Sequence, residues 1–314
     1  MSLPSMATLT KARQPLIVCG RPWARDLVAQ FSPKQFVSLT GKFLADRQAI
    51  KTIPESIRQQ GLGIVLPDSL SSAALFATTG IKTAGYRDDG RSLLLRWAIA
   101  KPVHPFHAVQ KWSWLTHQAL EAWGLNATTF AEITTSQQTS LQTPIFTPPQ
   151  SVPLVIDDTD RQLALANLSS HGLKSHRFVL LAPTATGTHQ GKVKVWPNFE
   201  QLDKTLTEGG FQVATCPPIT ERDQAKKVCP DAVLLDPLPL KSFCALTQLA
   251  ALVVCNDSGV SHLASIAGAN QLTLFGVTDP ANTRPWSEQA QWLGTNGQWP
   301  SLADTLKKSL EMLR

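Results

Sequence analysis

Short apolar runs recur along the chain, each stopped by glycine, proline or a polar turn and followed by a longer segment of mixed polarity. Residues 16–19 (Leu-Ile-Val-Cys before Gly20) predict a buried strand. Residues 22–31 predict a loop leading into a helix, and residues 36–39 a second strand. Residues 54–60 predict a helix closed by Gly61, and residues 63–66 another buried strand. Pro67-Asp68-Ser69 then supplies a turn and an N-cap for a helix over 71–79, closed by Gly80. This β-α-β-α rhythm predicts a parallel sheet with helices on its faces. Residues 107–123 predict a helix carrying Trp112, Trp114, Leu115, Ala119, Leu120 and Trp123, with Gly124 as its stop.

From 126 to 153 the texture changes to Thr, Gln and Ser with Pro144, Pro148, Pro149 and Pro153, which predicts a linker between domains. Beyond it, strands are predicted at 178–182, 211–215, 232–235, 252–255 and 271–275. Helices are predicted between them at 199–208, 220–228, 240–250 and 260–267. That regular alternation is the doubly wound, Rossmann-like pattern. Residues 301–314 predict a final amphipathic helix with Leu302, Leu306, Leu310 and Leu313 on one side, free to pack back on the first domain. The fold class is therefore α/β, with residues 1–150 as a first domain plus linker and 151–314 as a second.

The length of 314 residues suits two domains, and 43% hydrophobic with 17% charged residues excludes a disordered chain. A net charge of +6 favours anionic partners: nucleotides, phosphorylated glycans or an acidic membrane surface. No run of five Lys or Arg and no nucleic-acid motif occurs, so nucleic acid is not expected as a partner. Cys19, Cys216, Cys229, Cys244 and Cys255 are odd in number, scattered and without a CxxC pair, which predicts reduced thiols and a cytoplasmic location. Residues 1–14 lack the apolar core of a signal peptide, and the longest apolar stretch, near 249–255, is too short to span a bilayer. Any membrane contact is expected to be peripheral.

The strongest chemical signal is the stretch 252–264. Leu252-Val253-Val254-Cys255 ends in Asn256-Asp257-Ser258-Gly259, and a helix begins at once. Ligands of open α/β sheets bind at the carboxyl ends of strands. The first turn of a helix offers unpaired N–H groups and partial positive charge, which suits phosphate. Gly259 lets a diphosphate approach the backbone. An ordinary capped turn, with Asp257 or Ser258 as N-cap, is the alternative reading.

Residues 256–264 (Asn-Asp-Ser-Gly-Val-Ser-His-Leu-Ala), followed by Thr273-Leu274-Phe275-Gly276-Val277-Thr278-Asp279-Pro280, resemble the signature of glycosyltransferase family 9, the ADP-heptose:lipopolysaccharide heptosyltransferases. Ala182-Pro183-Thr184-Ala185 resembles that family's donor loop, and Lys194-Val195-Trp196-Pro197 its Lys-x-Trp-Pro motif. The resemblance covers 178 to about 285. It is fainter in the first half, at 65–69 and 80–86, where the domain looks shortened between Asp26 and Gly61. The resemblance implies a GT-B fold of two Rossmann-like domains facing a cleft. It also implies a direct, inverting displacement without a metal or other cofactor. The implied donor is ADP-heptose and the implied acceptor an anionic lipopolysaccharide-core glycolipid, met at the cytoplasmic face of the inner membrane.

The resemblance also distributes roles. Lys194, with Lys192 nearby, would meet the donor diphosphate together with Thr184, Asp257, Ser258, Gly259 and His262. Glu221 would hold the nucleoside ribose, or else sit in a first helical turn facing the dipole. For His262 a helix-packing role stays open. Trp23-Ala24-Arg25-Asp26 resembles the family's catalytic loop, so Asp26 would be the general base. A helix cap or an ion pair with Arg25 is its alternative. Arg25 stands where the family has glycine, and could bind acceptor phosphate. Arg87, Arg91 and Arg96 could also meet an anionic acceptor or form a plain basic surface. Asp158-Thr159-Asp160 has the DxD form of a metal motif but opens a helix, so it reads as a cap, and His104 with His107 lacks a third ligand. Two other functions stay open: a related transferase with another sugar or a protein acceptor, and a non-catalytic homologue that binds nucleotide-sugar.

Overall fold

The computed structural model describes residues 1–12, 14–88, 90–102, 106–125 and 151–314. Most of the expected linker, and His104, lie outside the described residues. The chain divides into two compact units, Met1–Val152 and Pro153–Arg314.

The first unit runs α1 (Leu3–Lys11), β1 (Ile17–Gly20), α2 (Ala24–Val28), β2 (Gln35–Ser38), α3 (Phe43–Lys51), α4 (Glu55–Gln60), β3 (Leu62–Ile64), α5 (Leu70–Ala77), β4 (Lys82–Tyr86), β5 (Trp97–Ile99) and α6 (Ala108–Ala122). Every strand pair in it is parallel, but the strands fall into two sheets, β1-β2 and β3-β4-β5. Val37, Ile50, Ile53 and Leu75 form one buried cluster in it, with Ile17, Cys19 and Leu39 against them. Helix α3 lies within the stretch where the sequence pattern shows a shortened domain. Its Asp46 is buried, and its carboxylate accepts the backbone N–H of Thr40 at 2.6 Å and of Gly41 at 2.8 Å. That contact fixes the turn between β2 and the helix. Arg91 corrects the reading of three surface arginines, for it is completely buried. Its Nη2 donates to the Pro67 carbonyl at 3.0 Å and its Nη1 lies 3.7 Å from Asp68, so it ties the loop after β3 to the loop after β4.

The second unit runs α7 (Asp158–Ser170), β6 (Phe178–Ala182), β7 (Thr188–His189), β8 (Lys192–Val193), α8 (Phe199–Glu208), β9 (Gln212–Thr215), α9 (Arg222–Val228), β10 (Val233–Leu234), α10 (Leu240–Leu249), β11 (Leu252–Asn256), α11 (Gly259–Ala267), β12 (Gln271–Leu274), α12 (Pro280–Thr283), β13 (Gln291–Leu293) and α13 (Leu302–Met312). Strands β7 and β8 form a small antiparallel hairpin. The other six make one parallel sheet in the order β10-β9-β6-β11-β12-β13. Numbered within the sheet by chain order, that is 3-2-1-4-5-6, the doubly wound arrangement.

Both faces of this sheet are covered. Side chains alternate along a strand, so Phe178 and Leu180 enter one core cluster with Leu168, Leu246, Val253 and Ala264. Val179 and Leu181 enter the other, with Trp196, Phe199, Leu202, Val254 and Leu272. A strand buried on both faces reads as an unbroken apolar run, which is what β6 and β11 show. The final helix lays Leu302, Leu306, Met312 and Leu313 on the second of these clusters, on its own unit's sheet.

Candidate functional site

In the sheet order, β6 and β11 are neighbours, and the chain departs to opposite sides from them. This is the topological switch point, where the loops after two adjacent strands separate and leave a crevice. The loop after β6 carries Pro183, Thr184 and Ala185. The turn after β11 carries Asp257, Ser258 and Gly259. A cavity of about 240 Å³ opens there. Its lining includes the polar residues Thr184, Thr215, Glu221 and Ser258, with Gly259, and the apolar Cys216, Pro217, Pro218 and Leu263.

Each polar residue of the turn has a different task. Ser258 is the N-cap of α11, its Oγ accepting the Val260 N–H at 3.3 Å. That satisfies one of the orphan donors of the helix start. Gly259 would place a Cβ into open space, so nothing in the packing requires its lack of a side chain. Asp257 is not a cap. It is 3% exposed, and its Oδ2 meets Lys194 Nζ at 2.9 Å and accepts from Thr278 Oγ1 at 2.5 Å and Thr283 Oγ1 at 3.5 Å. A buried carboxylate needs such partners, because burial without them costs several kcal/mol.

Asn256 is fully buried and joins three segments. Its Oδ1 accepts the Trp196 N–H at 2.8 Å, while its Nδ2 donates to the Ala182 and Pro183 carbonyls at 3.4 and 3.3 Å. Trp196 is itself anchored: its Nε1 donates to the Pro300 carbonyl at 2.9 Å, and its ring meets Phe199 edge-on at 5.3 Å. Lys194 therefore projects from a segment whose following residues are fixed to the sheet. Across the cavity, Thr184 Oγ1 donates to Glu221 Oε2.

Thr184, Glu221, Ser258 and Gly259 thus line one cavity, and Lys194 with Asp257 adjoins its Ser258 edge. His262 is half-buried on α11, outside the cavity lining. Lys192 is exposed on β8. The Cys216 thiol, at the cavity wall, donates to the Asp236 carbonyl at 3.2 Å, and burial pushes its pKa up to about 12. It is a neutral apolar wall, not a nucleophile. Asn256 and Thr278 were missed as site residues. Their partners come from segments 60 and 21 residues away, a proximity that no local pattern carries.

In the first unit, Asp26 is exposed in the first turn of α2 and makes no hydrogen bond or ion pair among the described residues. It neither caps that helix nor pairs with Arg25, whose guanidinium lies 5.0 Å above the Phe36 ring. Arg87 is exposed, and its backbone N–H donates to the Ile99 carbonyl just beyond β4. Asp158-Thr159-Asp160 is the first turn of α7 and not its cap, which falls one residue earlier. Asp157 caps α7 through the Asp160 N–H at 3.0 Å, and Asp160 Oδ1 accepts from Ser242 at 2.8 Å. His107 caps α6, its Nδ1 accepting the Val109 N–H at 3.2 Å. No cluster of three or more His, Cys, Asp or Glu suited to a metal occurs among the described residues. None of their helices is long and apolar enough to cross a membrane.

The fold and motifs match known proteins. Over 160 residues the chain is 29% identical to lipopolysaccharide heptosyltransferase 3 of Escherichia coli K12, a stretch that spans 46% of this chain and 45% of that protein. The chain therefore matches less than half the length of this curated relative. Among solved structures, the ADP-heptose lipopolysaccharide heptosyltransferase II of E. coli superposes with a TM-score of 0.68 at 21% identity, covering 100% of this chain and 95% of that one. The E. coli heptosyltransferase WaaC, solved with ADP, gives 0.65 at 17% identity, covering 99% and 96%. These likenesses show the fold, which is of the GT-B class. The sequence profile of glycosyltransferase family 9 (heptosyltransferase) matches residues 52–310, and with that span the chain belongs to this family.

Proposed function

We propose that this chain is an inverting, metal-independent glycosyltransferase that moves heptose from ADP-heptose to an anionic glycolipid acceptor of the lipopolysaccharide core. The observation that carries the reading is the crevice at the β6/β11 switch point, with the start of α11 on one side and Lys194 held beside it by Asp257. Breaking a sugar–diphosphate bond builds negative charge on the departing phosphate. The free N–H groups of α11 and the Lys194 ammonium can take up that charge where a metal would otherwise do so.

The apolar stretch Cys216-Pro217-Pro218 in the cavity lining supports adenine as the base. Pro217 and Pro218 bring no backbone N–H to it, and the Cys216 thiol is already spent on the Asp236 carbonyl. Guanine and uracil carry carbonyl oxygens that need donors, and an unmatched buried acceptor costs about 1–3 kcal/mol. Adenine has no carbonyl. Glu221, which now accepts from Thr184, is the group to receive the ribose hydroxyls.

In the reaction, the acceptor hydroxyl gives its proton to the Asp26 carboxylate as its oxygen bonds to the anomeric carbon. The carbon–oxygen bond to the diphosphate breaks, and ADP leaves with the electron pair. Asp26 is exposed, and among the described residues its carboxylate has no competing partner to give up. Arg25 and Arg87 would contribute to the acceptor side, and the net charge of +6 supports an anionic acceptor at the cytoplasmic face of the inner membrane. The test is ADP release from ADP-heptose in the presence of lipopolysaccharide-core acceptors. Asp26→Asn is expected to lose about 10²–10⁴-fold in turnover, the usual contribution of a general base, while ADP affinity stays as in wild type. Chelation by EDTA is expected to change nothing. Unchanged turnover in Asp26→Asn removes the assignment of the base, and loss of turnover on chelation removes metal independence.

A further inference from the structure

Resting on the reading of Lys194 as the cation of the donor site, we propose that Thr278 is a positioning residue that holds Asp257 so that Lys194 stays available to the diphosphate. The three form a chain. Thr278 Oγ1 donates to Asp257 Oδ2 at 2.5 Å, and the same oxygen meets Lys194 Nζ at 2.9 Å. Asp257 is 3% exposed and Thr278 is 6% exposed, so water does little to satisfy the carboxylate.

The chemistry of a shared oxygen explains the arrangement. A buried carboxylate with a lysine as its sole partner draws the ammonium fully onto itself, and such a lysine has less attraction left for phosphate. A second donor on the same oxygen spreads the negative charge and fixes the carboxylate rotamer. Thr278 is well placed to be that donor. It follows β12, two residues beyond the Phe275-Gly276 step that packs against Trp299, and its loop is held by Asp279, which caps α12 through the Ala281 N–H at 2.9 Å. Thr283, at the end of α12, reaches the same carboxylate oxygen at 3.5 Å and supplies only a weak reserve.

The test is calorimetric titration of the full chain with ADP and with adenosine, which lacks the diphosphate. In Thr278→Val, ADP affinity is expected to fall about tenfold, the size of one hydrogen bond to a charged group, while adenosine affinity stays unchanged. Thr278→Ser keeps the hydroxyl and is expected to bind ADP within about twofold of wild type. In an Asp257→Asn background, removing the Thr278 hydroxyl is expected to have no further effect, because the two act in series. Should Thr278→Val fail to fold, Thr278→Ala removes the same hydroxyl from a smaller side chain. An unchanged ADP affinity without the hydroxyl overturns the proposal, and so does a parallel loss of ADP and adenosine affinity, which marks a purely structural role. Lys194→Met separates this proposal from the one beneath it. If that change leaves ADP affinity intact, the donor reading itself falls. If it weakens ADP while Thr278→Val does not, only the role of Thr278 falls.

Discussion

Asp257 shows how burial assigns roles that residue type leaves open. An aspartate after a strand and before a helix can cap, bind a ligand or pair. At 3% exposure, with Lys194, Thr278 and Thr283 on one oxygen, it pairs, and the cap falls to Ser258. Gly276 is a second residue whose identity is set by its surroundings. A Cβ built there would lie 1.9 Å from Cδ2 of Trp299 and 2.2 Å from its Cε2, far inside contact distance. Gly276→Ala is therefore expected to destabilise the second unit by about 3 kcal/mol or more, read as a drop in the midpoint of chemical unfolding. A midpoint equal to wild type would show that the Trp299 ring moves aside without cost. Gly259 is the opposite case, for a Cβ there meets nothing within 4 Å. Gly259→Ala is expected to keep the wild-type melting temperature yet lose on the order of tenfold in ADP affinity, because the added methyl stands where a phosphate must approach the amides. Full affinity in that variant would place the phosphates elsewhere.

At the scale of elements, legibility follows burial. Strands β6, β9, β11 and β12 sit inside a parallel sheet covered on both faces, so their apolar runs stand out against polar loops. Strand β13 is three residues at a sheet edge, Gln-Trp-Leu, too short to make a pattern. Helix α3 buries only Asp46 and Ile50 of its nine residues, so its apolar stripe is too thin to register, and the buried aspartate reads as polar. Strands β4 and β5 escape notice for a related reason. Lys-Thr-Ala-Gly-Tyr and Trp-Ala-Ile carry few branched side chains, and the close approach of Leu95 and Arg91 to Gly85 shows why a small residue stands there. In the site, the residues carried by the β11–α11 turn and the Lys-x-Trp-Pro segment were legible because they lie in contiguous motifs. Asn256 as a clamp on Ala182, Pro183 and Trp196 was not, since its partners meet it only through the sheet order. The surface role read for Arg91 failed because nothing local in the chain signals that a guanidinium will be enclosed.

The whole molecule combines a net charge of +6 with four buried thiols in its second unit, Cys216, Cys229, Cys244 and Cys255. Burial pushes Cys216, Cys244 and Cys255, all in the second unit, up to about 12. In the unfolded chain a thiol ionises near 8.5–9. The folded state therefore keeps these groups neutral where the unfolded state would ionise them. Their contribution is fully present below pH 9 and is lost as pH rises from about 9 towards 12. Each such thiol is expected to remove about 1.4 kcal/mol of stability per pH unit across that window. Melting temperature should fall steeply as pH rises from about 9 towards 12, and Cys244→Ala should make the fall shallower. A slope unaltered by that change would assign alkaline instability to other groups.

The central claim is that the switch-point crevice of the second unit is a site for adenosine diphosphate completed by Lys194. Its most direct test is isothermal titration of the wild-type chain with ADP, GDP and UDP, and of Lys194→Met with ADP. The structure predicts that ADP binds in preference to the other two. It also predicts that Lys194→Met weakens ADP by at least about tenfold, as removal of a charge-assisted contact to phosphate should. Equal binding of all three nucleotides, or an ADP affinity indifferent to Lys194, would contradict the account.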